Sequence, residues 1–324
     1  MTQSMHVLVI GGTTFFGKQC VEALLARGHR VTVFSRGGRR PPFWDRISHI
    51  AGDRTDRGAF VDALRGTRFD VVVDNIAFVR ADVDAAVDAL GGRIAHYLLT
   101  SSGSVYPDFP SDARLRPIRE DAADLTHRGD LAYAVGKREC EQAALEQEAF
   151  PVTILRPPIV QGPDDSSRRG WFWYERIADG GPVLVPERYP SAAWRQAFSR
   201  DVAQAILLAA GNAAAFGRTY NVASEEILTL EDFVRLAAEI IGRPDPVVHV
   251  SADRLTSDAP WYKPTYVHRF VMDTSRIKTD LGLSPTPVRA WLEETIRWHL
   301  GAGLSPSTGY DRRADELEVA RRLR

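Results

Sequence analysis

Two rhythms of apolar and polar positions alternate along the first half of the chain. Short apolar runs, "HVLVI", "RVTVF", "FDVVVD", "AHYLLT" and "PVTILR", are separated by stretches whose apolar residues recur three and four apart. Those stretches are "GKQCVEALLARG", "RGAFVDALRG", "RADVDAAVDALGG" and "YAVGKRECEQAALEQE". Strands without a polar face are buried on both sides, and the helices between them supply the cover. The pattern predicts an α/β fold with a doubly wound parallel sheet. After about Gly162 it loosens. "GPDDSSRRGWFWYERIADGGPVLVPERYPSAAW" mixes glycine, proline, arginine and aromatics, as a cap over a cleft does. "SRDVAQAILLAAG" predicts a helix opened by Ser199 or Asp201. "RTYNVASEEILTLEDFVRLAAEIIG" predicts strand, turn and helix, with Thr229 and Asp232 as a capping box. "DTSRIKTDLGLSPTPVRAWLEETIRWHL" predicts two helices broken by a proline loop. The expected layout is a sheet domain over 1–162, a smaller part over 163–310 with segments returning to the sheet, and a charged tail over 311–324. The tail reads as a solvated or loosely docked helix.

Composition narrows the function classes. Lys and Arg number 41 against 42 Asp and Glu, a net charge of -1, so no excess of charge points to nucleic acid or an anionic membrane. The two cysteines, Cys20 and Cys140, fall in predicted helices; no disulfide framework is expected, which suits a reducing compartment. The opening "MTQSMHVLVIGG" lacks a basic region and a cleavage site, and its apolar run is too short to span a bilayer. A cytoplasmic protein is expected. The eight histidines show no metal-ligand spacing, and no metal site is expected.

Candidate chemistry begins at "VLVIGGTTFFG", where Gly11, Gly12 and Gly17 lie between a strand and a helix. Such a turn admits a strained backbone, and the helix start offers N–H groups and a positive dipole end to a pyrophosphate. Thr14 stands where a glycine normally permits the closest approach. The second strand ends "VTVFSRGGRR": Ser35, Arg36, Arg39 and Arg40 occupy the place where a carboxylate would read both ribose hydroxyls of NAD. Arginine pairs with a 2′-phosphate, so NADP(H) is expected over NAD(H), although a solvated basic loop accounts for the same residues.

"LLTSSGSVYP" puts Ser102 at the end of a strand, and "YAVGK" puts Tyr133 and Lys137 one helical turn apart. A phenol titrates near ~10 and is a poor base at neutral pH; a neighbouring ammonium favours the phenolate. The serine then binds a substrate oxygen, and the tyrosine exchanges a proton with it while hydride moves. An exposed helix pair accounts for Tyr133 and Lys137 alone, but Ser102 and the glycine turn together with them make coincidence a poor explanation.

These motifs together resemble the extended, atypical branch of the short-chain dehydrogenase/reductase superfamily, which includes nucleotide-sugar epimerases and dehydratases. "GGTTFFG" is similar to that branch's "GGTGFxG", "SSGSVYP" to its "SS-x-x-VYG", "YAVGK" to its Tyr-x-x-x-Lys, and "LRPPIVQGP" to its "LRP-x-x-VYGP". The resemblance runs from about Val7 to Leu300. It implies a Rossmann-type NAD(P) domain with a smaller α/β C-terminal substrate domain, and a homodimer joined through helices that include the Tyr133 helix. It implies catalytic Ser102, Tyr133 and Lys137. It implies a cofactor held by Gly11, Thr13, Thr14, Phe15, Phe16 and Gly17, with Ser35, Arg36 and Arg40 at the ribose. Asp53 and Arg54 are implied near the adenine. Ile76, Ala77, Tyr133, Lys137, Pro157 and Ile159 are implied along the rest of the cofactor. Atypical members have a turn like "GGTRFxG", and some chloroplast stem-loop RNA-binding proteins are similar there.

Substrate contacts are expected from Phe78, Ser104 and Tyr106. "RRGWFWYER", with Trp171, and nearby Arg195 can stack on a ring or hold an anion, and "APWYKPTYVHRF", with Lys263, has the same aromatic and cationic character. Packing of a cap explains such aromatics equally well.

Three departures narrow the reaction. Gly103-Ser104 stand where sugar 4,6-dehydratases carry Asp-Glu, so no group for eliminating water follows Ser102. Ile159 replaces an asparagine common among nucleotide-sugar enzymes. The arginines after the second strand favour NADPH and a net reduction. The expectation is a reductase or dehydrogenase acting on a carbonyl or alcohol of a polar, sugar-like or cyclitol-like small molecule. A sugar epimerase with retained NAD(P)+ is the alternative, and a non-enzymatic RNA binder or cofactor sensor the third.

Overall fold

The computed structural model describes residues 4–106, 117–129, 131–187, 193–262 and 271–323. The chain divides into two compact units. The first comprises Met1–Val160, Gln196–Ala223 and Met272–Pro285; the second comprises Gln161–Arg195, Ser224–Val271 and Thr286–Arg324. Residues 263–270, with Lys263 and most of the second aromatic stretch, lie outside the described residues.

The first unit is built on a seven-stranded sheet. Its strands are β1 (His6–Ile10), β2 (Arg30–Ser35), β3 (Ser48–Ala51), β4 (Val71–Asp74), β5 (His96–Thr100), β6 (Val152–Arg156) and β7 (Arg218–Asn221). They lie in the order β7-β6-β5-β4-β1-β2-β3, and every pairing is parallel. The chain works outward from β1 to β3, then returns to β4 and works outward the other way. The order of the strands therefore reverses between β1 and β4, and ligands of such sheets bind beyond the strand ends at that point.

Alternation along β1 shows why its residues are apolar throughout. Val7 and Val9 join one core cluster, with Val21 and Leu24 of helix α1 (Phe15–Ala26) and Val202 and Ile206 of the helix Ser199–Ala209. Leu8 and Ile10 join the other, with Phe60 of α2 (Arg57–Leu64), Val83 and Ala86 of α3 (Arg80–Leu90), and Cys140 of α4 (Ala132–Glu146). Each face of a strand carries every second residue, so a strand covered by helices on both sides has no place for an unpaired polar group. Cys20 and Cys140 are free and buried.

Several local expectations meet a different outcome. Strand β3 has a single large apolar residue, Ile50, and lies at the sheet edge, so the apolar pattern does not announce it. The helix expected to open on Ser199 or Asp201 begins at Ser199, with Phe198 in the cap position and no side-chain cap bond.

In the second unit the capping box does form: Thr229 Oγ1 accepts from Asp232 N, and Asp232 Oδ2 accepts from Thr229 N, both at 3.0 Å. The 311–324 segment is not a loosely held tail. It forms the helix Arg313–Leu323, whose Glu316 pairs with Arg176 at 2.7 Å with both side chains fully buried. Arg313, Glu316, Val319 and Ala320 recur on one helix face, and that face turns inward. Its charges are partners for the core, not a solvated surface.

His96 yields a test of this packing. Its Nδ1 accepts from Gly211 N at 3.2 Å, and its Nε2 lies 2.9 Å from Thr153 Oγ1, which itself donates to Ala215 O. The ring is thus satisfied as a neutral imidazole with its proton on Nε2. Burial pushes its pKa down to about 4 from an ordinary 6.5. The unfolded chain takes up this proton more readily, so the contribution to stability is complete above the unfolded value and is lost as pH falls from 6.5 towards 4. The loss approaches about 3 kcal/mol. Urea midpoints measured across this window should fall with acidity, and His96→Gln should flatten the slope by up to one proton.

Candidate active site

The turn after β1 is shaped by close approaches that only glycine allows. Gly11 has φ +85°, and a Cβ there would lie 2.7 Å from Ile76 Cγ2. A Cβ on Gly17 would lie 2.1 Å from the Gly11 carbonyl oxygen, so α1 can start against the turn only without a side chain. Thr14, the departure from the glycine pattern, has φ -139° and ψ 155°, an extended conformation open to any residue. The left-handed position falls on Phe15, at φ 47°. Thr14 makes no side-chain cap bond, and the first turn of α1 contains no acidic residue. The amides there suit an anion, and Thr13, Thr14, Phe15 and Phe16 are each partly accessible around them. Asn75 pins the turn: its Nδ2 donates to Gly11 O at 3.4 Å, and its Oδ1 accepts from Thr100 Oγ1 at 2.8 Å.

At the end of β2, Ser35 is half-buried, and Arg36, Arg39 and Arg40 are exposed. The Arg40 guanidinium lies 5.7 Å from the centre of the Trp44 ring. Asp53 beyond β3 is exposed; its Oδ1 accepts from Thr55 N at 2.9 Å and Thr55 Oγ1 at 2.8 Å. Those bonds, and then the charge of Arg36, hold its carboxyl below the ordinary range.

Arg54, expected beside the adenine, is turned inward. It is buried, pairs with Asp74 at 2.6 Å, and donates to Asp82 O at 2.6 Å. Tyr97 donates to the same Asp74 oxygen at 2.6 Å. The role is to fix the end of β4 against α3, because a guanidinium beside two carboxylates has little reason to face solvent.

Beyond β4 and β5 stands the group expected to carry chemistry. Lys137 is 2% exposed, and its Nζ donates to Ala77 O at 2.7 Å and Thr100 O at 2.9 Å. Burial lowers its pKa from the ordinary 10.5. Nζ lies 4.8 Å from the ring centre of Phe78 and 5.9 Å from that of Tyr133. These two rings are 48% and 49% exposed, with centroids 6.3 Å apart, so a ligand can reach the phenol while the ammonium stays beneath it.

Ser102 lies in an extended conformation at the start of a short turn. Its Oγ accepts from Ser104 N at 3.1 Å and from Ser104 Oγ at 3.0 Å. Both lone pairs are taken, and the Ser102 proton is left to donate. Gly103 N donates to Pro157 O at 2.8 Å, tying this turn to the end of β6, and Ile159 O accepts from Ala197 N at 3.0 Å. Arg138 ties the same turn to α4: its Nε donates to Val105 O at 2.7 Å and its Nη1 to His127 O at 3.1 Å.

Four expected substrate contacts have other surroundings. Ser104 orients Ser102. Tyr106 is buried: its hydroxyl donates to Asn221 Oδ1 at 2.5 Å and accepts from Arg156 at 3.0 Å. Arg156 in turn grips Glu141 of α4 at 2.5 Å, so Tyr106 belongs to a network that braces the strand ends. Trp171, in the second unit, is 9% exposed, donates to Ser305 O at 3.2 Å and stacks on His299. Arg195 of that unit donates to Glu225 O at 3.2 Å. Among the described residues no cluster of His, Cys, Asp or Glu has the form of a metal site, and no helix is long and apolar enough to cross a membrane.

Missing from the sequence expectations were Gly136 and Arg138. Only Gly136 left a signal, as the glycine inside "YAVGK". A Cβ there would lie 2.2 Å from Phe78 O.

The model of the NAD dependent epimerase/dehydratase family matches residues 7–223 of the 324. Among curated proteins, the chain is 28% identical over 293 residues to the chloroplast stem-loop binding protein of 41 kDa b from Arabidopsis thaliana, covering 86% of this chain and 75% of that one. It is 26% identical over 329 residues to the dTDP-4-dehydro-6-deoxy-D-allose reductase of Streptomyces bikiniensis, covering 90% and 95%. Among solved structures, the UDP-glucose 4-epimerase of Thermotoga maritima with UDP-glucose superposes with a TM-score of 0.73 at 18% identity, covering 92% of this chain and 99% of that one.

Gly136 gives the test of this geometry. Gly136→Ala forces α4 away from the Phe78 carbonyl, and Lys137 then loses its reach to Ala77. Overpacking of this kind costs about 1–3 kcal/mol, which a denaturation midpoint registers. Dinucleotide affinity and turnover should fall further than that loss of stability explains.

Proposed function

This chain belongs to the NAD dependent epimerase/dehydratase family and is an enzyme, and from that premise we propose an NADP(H)-dependent oxidoreductase. It reduces a carbonyl, or oxidises a secondary alcohol, on a polar sugar-like or cyclitol-like small molecule. The observation that carries this reading is the buried Lys137 ammonium, bonded to Ala77 O and Thr100 O beneath a phenol that ligands can reach. The 26%-identical dTDP-4-dehydro-6-deoxy-D-allose reductase supports a reduction of a sugar-like molecule.

The cradle around Gly11 and Gly17, with the uncapped start of α1, fits a dinucleotide. Ser35 and Arg36 would hold its ribose end, and Ile76, Ala77, Pro157 and Ile159 would line its path. When bound, the nicotinamide supplies or accepts hydride. The protein's own groups manage the oxygen. In reduction, Ser102 donates a hydrogen bond to the carbonyl oxygen and orients it. Tyr133 delivers its phenolic proton to the same oxygen as the carbonyl carbon gains hydride, which yields the alcohol. The exposed phenol is then reprotonated from water. Lys137 keeps positive charge beneath the ring throughout. Oxidation runs these steps in reverse.

Elimination of water is disfavoured because Gly103 has no side chain and Ser104 is bonded to Ser102. Epimerisation would use the same three residues, but on a cofactor that never leaves. The reading includes a cytoplasmic homodimer joined through faces that include α4, without nucleic acid or membrane partners; the net charge of -1 supports the last part.

Two measurements test the proposal. Tyr133→Phe should lower kcat by about 10²–10⁴-fold, the usual worth of a positioned acid, with cofactor affinity little changed. Retained turnover would remove the phenol from the mechanism. The purified protein, denatured, should release little nucleotide and should bind NADPH when it is added. Release of near-stoichiometric NAD+ or NADP+ would instead make it an epimerase.

A further inference from the structure

We propose that His49 on β3 is a positioning residue for cofactor choice, turning the Ser35 hydroxyl outward as a donor to a 2′-phosphate. The inference rests on the NADP(H) reading above and adds to it a residue outside the second-strand arginines.

The argument is a count of donors and acceptors. His49 Nε2 lies 3.2 Å from Ser35 O and 3.0 Å from Ser35 Oγ. A carbonyl oxygen only accepts, so the contact with Ser35 O requires the imidazole proton on Nε2. The same N–H is then shared with Ser35 Oγ. That oxygen also accepts from Gly37 N at 3.3 Å. Both lone pairs of the hydroxyl are filled from the protein side, and its own proton is left for an acceptor elsewhere. The ring is held in place for this. It packs on Trp44 with centroids 4.5 Å apart. The Gly37 turn lies close to it as well: φ there is +75°, and a Cβ would lie 3.2 Å from His49 Cε1.

A phosphate dianion presents only acceptors, and its oxygens can take the Ser35 proton and the Arg36 guanidinium together. A ribose hydroxyl must also donate, and Ser35 offers it no open lone pair. Asp53 competes for Arg36 from the β3 side, since the charge of Arg36 acts on its carboxyl. A neutral donor that Asp53 cannot draw away by charge therefore matters at this position.

The test is the ratio of NADPH to NADH dissociation constants, by calorimetry on the full chain and four variants. The wild type should bind NADPH more tightly. His49→Phe removes the N–H but keeps a ring against Trp44; it should weaken NADPH about 5–10-fold, with NADH within about 2-fold, the net worth of one ordinary hydrogen bond. His49→Gln, which restores an N–H, should recover most of the ratio. Ser35→Ala should match His49→Phe, and Arg36→Ala should cost more. Equal loss for both cofactors in His49→Phe, or no loss while Ser35→Ala loses NADPH, would overturn the role of His49 and leave the NADP(H) reading standing. A wild-type ratio near one, unmoved by Arg36→Ala, would overturn that reading and the inference with it.

Discussion

The site depends on an ammonium held out of water. Lys137 is almost wholly buried, and an isolated buried charge is costly. Two carbonyl oxygens, from Ala77 after β4 and Thr100 at the end of β5, and the face of Phe78 offset that cost. Both carbonyls are backbone atoms beyond or at the carboxyl ends of neighbouring strands: the register of the sheet places Thr100, and the loop after β4 places Ala77. The lysine therefore fixes α4 to the sheet at one point along its length. Tyr133 lies one turn before it, and its height over the strand ends is set by the same contact. Gly136 makes the approach possible, because any side chain there would meet the Phe78 carbonyl first. Ammonium, carbonyls and glycine form one device, in which the removal of any member releases the phenol from its place.

Around this device the strand ends are braced by buried ion pairs. Arg54 joins Asp74 and Asp82; Arg156 joins Glu141, which also accepts from Ser101 at 2.5 Å. Buried pairs of this kind add little net stability over apolar packing, yet breaking one partner away is strongly destabilising. What they contribute here is position. Asp74 also accepts from Ile76 N at 3.1 Å, and so shapes the loop that supplies Ala77. Glu141 lies one turn beyond Lys137, so its pair with Arg156 holds the next turn of α4 against β6. Arg138, between them in sequence, reaches the Ser102 turn. Three consecutive contacts of one helix thus secure β4, β5, β6 and the serine.

The local part of this arrangement was legible in the sequence. Apolar runs and helical spacing disclose most of the sheet strands and α1 to α4, because those signals depend on residues next to one another. The capping box at Thr229 and Asp232 is legible for the same reason. What sequence reasoning missed depends on residues far apart in the chain. Arg54 looks like a cofactor residue until Asp74 and Asp82 are beside it. Tyr106 looks like a substrate residue until Asn221 and Arg156 arrive from β7 and β6. The charged segment after Asp311 looks solvated because nothing nearby reveals that Arg176 awaits Glu316. Polar residues were read by their neighbours in sequence, and in each case a partner beyond that range decided the outcome.

The two hydroxyls of the site follow one rule. Ser102 accepts from Ser104 N and Ser104 Oγ; Ser35 accepts from Gly37 N and His49 Nε2. In each, nearby groups fill both lone pairs and leave one proton to give. A site for eliminating water needs a base beside the serine, and a site for an unphosphorylated ribose needs an acceptor at the end of β2. Neither hydroxyl offers one. A carbonyl oxygen and a phosphate both demand donors, and in the reading proposed above these two serines, with Tyr133 and Arg36, would supply them. The same count of protons, made at positions 35 and 102 independently, supports the proposed carbonyl chemistry and phosphorylated cofactor, and argues against elimination of water.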